Sequence, residues 1–175
     1  MKPPHEPDRS EQTLVRLAKR KRMLDDGVDP YPVAVPVTAS IAEVRRDHQG
    51  LEAGEETDDV VGIAGRIVHL RNTGKLCFAT LQAGDGERLQ AMVSLAEVGE
   101  DSLARFKSLV DLGDILFAAG RVISSKRGEL SILASTWQIA SKALRPLPVL
   151  HADLSEEMRV RDRAADAEIP VGTPN

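Results

Sequence analysis

Aromatic side chains are scarce in this chain: three phenylalanines, one tyrosine and one tryptophan make up 3% of 175 residues. Each is therefore worth placing individually, because most of the core must be built from aliphatic side chains. Cysteine is scarcer still. The lone Cys77 excludes an intramolecular disulfide and suits a reducing compartment. Long apolar runs are missing; the best, Ile115 to Ala119, has the length of a strand and not of a membrane span. The opening MKPPHEPDRSEQ holds no apolar stretch, so no signal peptide is expected. These absences predict a soluble, cytoplasmic protein. Chemistry is also hard to find. His5, His48, His69 and His151 are scattered without metal-ligand spacing, and Gly74-Lys75 lacks the neighbours of a phosphate-binding loop. Ser124, Ser125 and Cys77 have no evident base partner, so no catalytic, metal or cofactor residue is expected.

What is present suits a globular chain. Hydrophobic residues make up 42% and charged residues 29%, and a chain of this size buries roughly 70% of its unfolded surface. The net charge of −4 argues mildly against a general nucleic-acid coat protein. Its distribution matters more than its sum. Acid concentrates in Leu51–Asp59 and in the tail, and base at Arg16–Arg22 and again at Arg66, Arg71 and Lys75. A local positive surface on an acidic protein is the expectation.

The patterning divides the chain into three parts: residues 1–58 as a helical extension with an acidic linker, 59–148 as a β domain, and 149–175 as a tail. Met1–Pro7 reads as disordered. Asp8-Arg9-Ser10-Glu11 resembles a capping box ahead of a helix running to about Asp25. Leu14, Leu17, Ala18 and Leu24 fall within a ~120° arc of it, which predicts one docking stripe. Gly27 stops that helix, and Ser40 to His48 forms a second short one. From Asp59 the period changes to that of strands. Asp59 onward, Leu76–Gln82, Arg88–Val93, Ile115–Ser124 and Leu130–Ala140 are five strands, with a helix over Asp101–Val110 between the third and fourth. That order fits a five-stranded OB-fold, a Greek-key β-barrel, with an SH3-like barrel or half sandwich as the alternatives.

An OB barrel binds oligonucleotides on strands two and three, rimmed by the loops joining strands 1–2 and 4–5. Alternation sends Cys77, Ala79 and Leu81 inward and Phe78 and Thr80 outward. In the third strand Leu89, Ala91 and Val93 point in, and Arg88, Gln90 and Met92 point out. Arg71 starts the first loop and Glu129 belongs to the last. Phe78 offers a platform for a base, Gln90 a donor and an acceptor, Arg71 a phosphate or carbonyl partner, and Glu129 an acceptor. The competing reading is that Phe78 packs beneath a loop or the first helix.

Several motifs in order carry a resemblance. Gly65-Arg66-Ile67, Gly74-Lys75 through Phe78-Ala79-Thr80-Leu81-Gln82, Leu112-Gly113-Asp114-Ile115, Gly128-Glu129-Leu130-Ser131 and "KALRPLP" at 142–148 are similar to the N-terminal anticodon-binding domain of bacterial class II lysyl-tRNA synthetases. Asp29-Pro30-Tyr31-Pro32 and Leu154-Ser155-Glu156-Glu157 extend it. The resemblance implies binding of a lysine-type tRNA anticodon loop. A central uridine would stack on Phe78, Arg71 and Gln90 would read its edge, and Glu129 would help read a neighbour. Arg66 and Lys75 join them as basic candidates. The basic first helix would lie near the tRNA, along a dimer interface or as an ordinary solvated face. Partners implied are tRNA, a homodimer, or a full-length synthetase.

The family pattern fades after Arg159, Arg161 and Arg163, where Ala164 replaces an expected aromatic. Motifs for ATP and adenylate chemistry are not found in these 175 residues. ATP and Mg would belong to a catalytic domain, so this chain alone is not expected to charge tRNA. A natural truncated relative or an excised domain both fit. A general single-strand-binding OB protein and a protein-interaction module are the other readings.

Overall fold

The computed structural model describes residues 10–148, in which five strands close into a barrel with two helices ahead of it. The elements are α1 (Glu11–Asp25), α2 (Ile41–Asp47), β1 (Glu56–Asn72), β2 (Leu76–Gln82), β3 (Arg88–Ser94), α3 (Leu95–Val98), α4 (Glu100–Leu109), β4 (Ile115–Ser124) and β5 (Leu130–Ser141). The expectations on 1–9 and 149–175, including the tail arginines, lie outside the described residues.

Ring closure follows from one long strand. The 17 residues of β1 pair with β4 through Glu56–Arg66 and with β2 through Arg66–Asn72. β2 pairs with β3 antiparallel, and β3 pairs with β5 in parallel, giving the ring order β1-β2-β3-β5-β4. This is the OB topology expected from element order. β1 starts at Glu56, three residues before the expected Asp59, because Glu56 pairs with Ile123 across the ring. The short helix α3 was not foreseen; the Ser94 hydroxyl accepts from Glu97 N–H and caps it.

The alternation holds inside the barrel. Cys77, Ala79 and Leu81 of β2 and Leu89, Ala91 and Val93 of β3 are buried against Ile63, Ile67, Leu116 and Ile132. Burial pushes the Cys77 thiol up, with nearby Lys107 pulling the other way, so Cys77 serves as a small core residue. α4 packs Leu103, Phe106 and Leu109 onto the barrel, with the Phe106 ring edge-on to Trp137 at 5.1 Å.

α1 docks differently from its apolar stripe. Its N-cap is Ser10, within the stretch expected to cap it, and the Ser10 hydroxyl accepts from Thr13 N–H; Asp8 lies outside the described residues. Leu14 and Leu24 are about half exposed, while Arg16 and Met23 are buried. The barrel offers polar acceptors where α1 lands, so a cationic face wins over a leucine face. Arg16 Nη1 donates to the Leu112 carbonyl at 2.8 Å, and Lys19 pairs with Asp111 at 2.6 Å. Arg20 lies over the Tyr31 ring at 5.7 Å. Three cations of the basic Arg16–Arg22 run therefore face the protein itself. The helix ends as expected at Gly27: Val28 N–H donates to Met23 C=O, and Gly27 N–H donates to Leu24 C=O. α2 carries a full capping box between Ser40 and Glu43.

Candidate nucleic-acid interface

Cross-strand register builds the outer face of β1, β2 and β3. Arg71 stands opposite Phe78, and Phe78 opposite Met92. One step along, His69 faces Thr80, Thr80 faces Gln90, and Gln90 faces Ser131. A bulge between Ile67 and His69 sets this register and turns His69 and Arg71 outward together. The β4–β5 turn forms the remaining wall. Ser125 Oγ accepts from the backbone N–H of both Arg127 and Glu129, and Gly128 takes φ +82°, open to glycine.

These pieces enclose a cavity of about 630 Å³ that brings Arg71, Phe78, Gln90 and Glu129 together. Three cations, Arg71, Lys126 and Arg127, line it against the single carboxylate of Glu129. The acidic protein thus has a locally positive concavity, which attracts a polyanion. Arg66 and Lys75 are not part of it. Arg66 lies at a smaller cavity beside Gln82 and Ile115, where it donates to Gly113 C=O at 2.8 Å. Lys75 is exposed in the β1–β2 turn, which Lys107 braces by donating to Gly74 C=O.

Two details of the expected face change. Gln90 points outward but is 8% exposed, because β5 runs alongside β3 and covers its flank. Its Nε2 donates to Ser131 Oγ at 2.9 Å, and Ser131 Oγ donates to Glu129 C=O at 3.0 Å. With the hydroxyl proton spent on that carbonyl, Ser131 can only accept from Gln90. The amide is thereby oriented, with Oε1 and one N–H left for a ligand. Phe78, in turn, is half-buried, with the Arg71 guanidinium over its ring at 4.3 Å.

His69, Ser131, Lys126 and Arg127 were not among the expected site residues, and Met92 was expected only to point outward from the third strand. His69 was reachable by alternation, lying two residues from Arg71. Ser131 was not, because its role depends on the parallel pairing of β3 with β5. Among the described residues no group of His, Cys, Asp or Glu could hold a metal ion, and no helix is long and apolar enough to cross a membrane.

Comparison with known proteins agrees with this geometry. The tRNA_anti-codon family, described as an OB-fold nucleic acid binding domain, matches residues 61–140. A lysine–tRNA ligase of Kineococcus radiotolerans is 63% identical over 159 residues, covering 91% of this chain and 32% of the relative. A lysine–tRNA ligase of Mycobacterium tuberculosis is 57% identical over 159 residues with the same coverage. The lysylphosphatidylglycerol biosynthesis bifunctional protein LysX of Rhodococcus opacus is 40% identical over 164 residues, 14% of its length. The chain spans about a third of the length of the lysine–tRNA ligases it matches. Barrel topology and these similarities together make residues 61–140 an OB-fold anticodon-binding domain that matches the tRNA_anti-codon family model and the corresponding region of lysine–tRNA ligases.

Proposed function

We propose that this chain acts in the cytoplasm as an anticodon-binding module, gripping the uridine-rich loop of a lysine-type tRNA in the Phe78 cavity. The observation that carries this reading is the convergence of Arg71, Phe78, Gln90 and Glu129 on one positive concavity. An unpaired pyrimidine enters over Phe78, displacing Arg71 from the ring face. The exchange is favourable, because a cation–π contact at an accessible site is worth ~0.5–1 kcal/mol and base stacking ~1–3 kcal/mol. Arg71 then lies beside the base as a donor to its carbonyl or phosphate. Gln90 meets the base edge with its oriented amide, and Glu129 takes an N–H of a neighbour. Nothing in this reading asks the chain to catalyse aminoacylation; ATP and Mg chemistry belongs to the part of the ligases that this chain does not match.

The test is a titration of a uridine-centred anticodon stem-loop against the wild-type protein and Phe78→Ala. Loss of the platform should weaken binding by ~1–3 kcal/mol, about fivefold to 150-fold, and binding of the wild type should weaken as salt rises. Equal affinity for the two proteins would remove Phe78 from the site. Equal affinity of the wild type for an unrelated loop would favour a general single-strand binder.

A further inference from the structure

Of the side chains that line the Phe78 cavity, only His69 is of a type whose charge changes between about pH 5 and pH 8. It has no part in the contacts proposed above for Arg71, Phe78, Gln90 and Glu129. Its placement is specific. From His69 to Arg71 the pairing with β2 runs without interruption, so the two side chains leave the same face, roughly 6.5 Å apart along the strand. The bulge before His69 is what brings it there. Without the extra residue, alternation from exposed Arg66 would send Val68 and Leu70 outward and turn His69 and Arg71 to the core. We propose that His69 is a further RNA contact, whose imidazolium binds a phosphate oxygen of the strand seated on Phe78 and so ties the affinity of the site to pH. The inference rests on the reading of the Phe78 cavity given above and adds to it one residue and one regulating variable.

The ring is available for that bond. His48, the other described histidine, spends both ring nitrogens inside the protein, on the Val44 carbonyl and the Asp59 carboxylate. His69 is exposed, and no hydrogen bond among the described residues involves its ring. The charged groups facing it are Arg71 on β1 and Lys126, Arg127 and Glu129 on the β4–β5 turn. β2 and β3 present only the uncharged Phe78, Thr80, Gln90 and Met92. Its partner across the strand is Thr80, so no carboxylate stands opposite the imidazole in the register. An incoming anion is therefore the natural partner of a protonated ring. Arg71, Lys126 and Arg127 against Glu129 leave two positive charges in the cavity, and a proton on His69 makes three. Binding of RNA and binding of that proton favour each other, each by the same factor. A neutral imidazole stacked on a base would behave differently, since acid would then bring no gain in affinity.

The experiment titrates a uridine-centred RNA hairpin by anisotropy against wild type, His69→Gln, His69→Arg and Phe78→Ala, each in the full chain, between about pH 5.5 and pH 8.5. Wild-type affinity should rise about twofold to fivefold toward the acid end, the worth of one exposed ion pair. The salt dependence should steepen there by about 0.7 in log–log slope, the share of one phosphate contact on a single strand. His69→Gln keeps a donor of similar size but takes no charge, so it should lose both changes and match wild type at the alkaline end. His69→Arg should bind at the tighter level throughout. Calorimetric titrations in two buffers of different ionisation heat read the proton itself: wild type should take it up on binding, and His69→Gln should not. Wild-type affinity that stays flat with pH overturns the proposal, and so does a pH dependence that survives in His69→Gln. Either result with Phe78→Ala still losing affinity leaves the stacking site intact. Phe78→Ala binding as wild type at every pH overturns the reading of the cavity itself.

Discussion

Phe78 is accessible on an outer face because three of its surroundings are polar or flexible: Arg71 across β1, Met92 across β3 and the β4–β5 turn above. An apolar ring left there costs stability relative to burial, and Arg71 offsets part of that cost while no base is bound. Ser131 has the complementary task of aiming Gln90. Ser131→Ala should free the Gln90 amide to flip and weaken binding of a uridine-centred loop about fivefold, one ordinary hydrogen bond. The same variant should discriminate less between a central uridine and a central cytidine, a change that simple loss of packing would not produce. Competition binding with the two loops reads both effects. Phe78, Arg71 and Glu129 were legible in the sequence because period-two alternation and loop position place them. Gln90 was legible in direction only, since its burial depends on which strand lies next to β3.

The elements show where local pattern is enough and where it is not. β2 follows its alternation strictly, whereas β3, β4 and β5 also bury residues of the other face, Gln90, Phe117 and Ser131 among them. α1 does not follow its leucines. Leu14 and Leu24 share an arc, yet Arg16 and Met23 meet the barrel, since Asp111 and the carbonyls of Leu112 and Ala143 lie beneath them. Periodicity cannot see those distant acceptors. β4 and β5 close on each other at a bulge beside Gly120, where an added Cβ would stand 1.9 Å from the Leu133 carbonyl oxygen. Backbone blocks that space, so Gly120→Ala should destabilise the barrel by about 3 kcal/mol, the upper end of overpacking costs, read by urea unfolding. α2 is tied to β1 through His48. Burial pulls the imidazole down, but the bonds to Asp59 and the Val44 carbonyl outweigh it and leave the group above its ordinary value. A raised folded value gives stability that is fully present below the unfolded value of ~6.5 and is lost as pH rises through the folded one. The effect is small, because Asp59 is largely exposed. His48→Gln should therefore lower the urea midpoint more at about pH 5 than at about pH 9.

Across the whole molecule, charge is used twice. Inside, Lys142 is fully buried and bonds Asp114 at 2.7 Å and Asp111 at 2.6 Å, and Lys19 of α1 completes the set at Asp111. Burial pushes the Asp111 carboxyl up, but Lys142 and Lys19 outweigh it and hold the group below the usual carboxylate range. Tyr31 donates to the Lys142 carbonyl, so the helical extension, the chain after α1 and the end of β5 meet at one node. Lys142→Met should cost about 3–5 kcal/mol by leaving Asp114 buried without its cation, and adding Asp114→Asn should recover part of that loss in urea unfolding. Outside, a positive concavity sits on a protein of net charge −4, so a polyanion would be met by a local field and not by the overall sum. The central claim is that a base stacks on Phe78. It is tested most directly by proton NMR of a uridine-centred anticodon stem-loop, following the central uridine H5 and H6 as protein is added. Stacking predicts upfield shifts from the ring current of Phe78 that disappear with Phe78→Leu. Bound RNA whose central uridine protons stay in place with the wild-type protein would contradict the account.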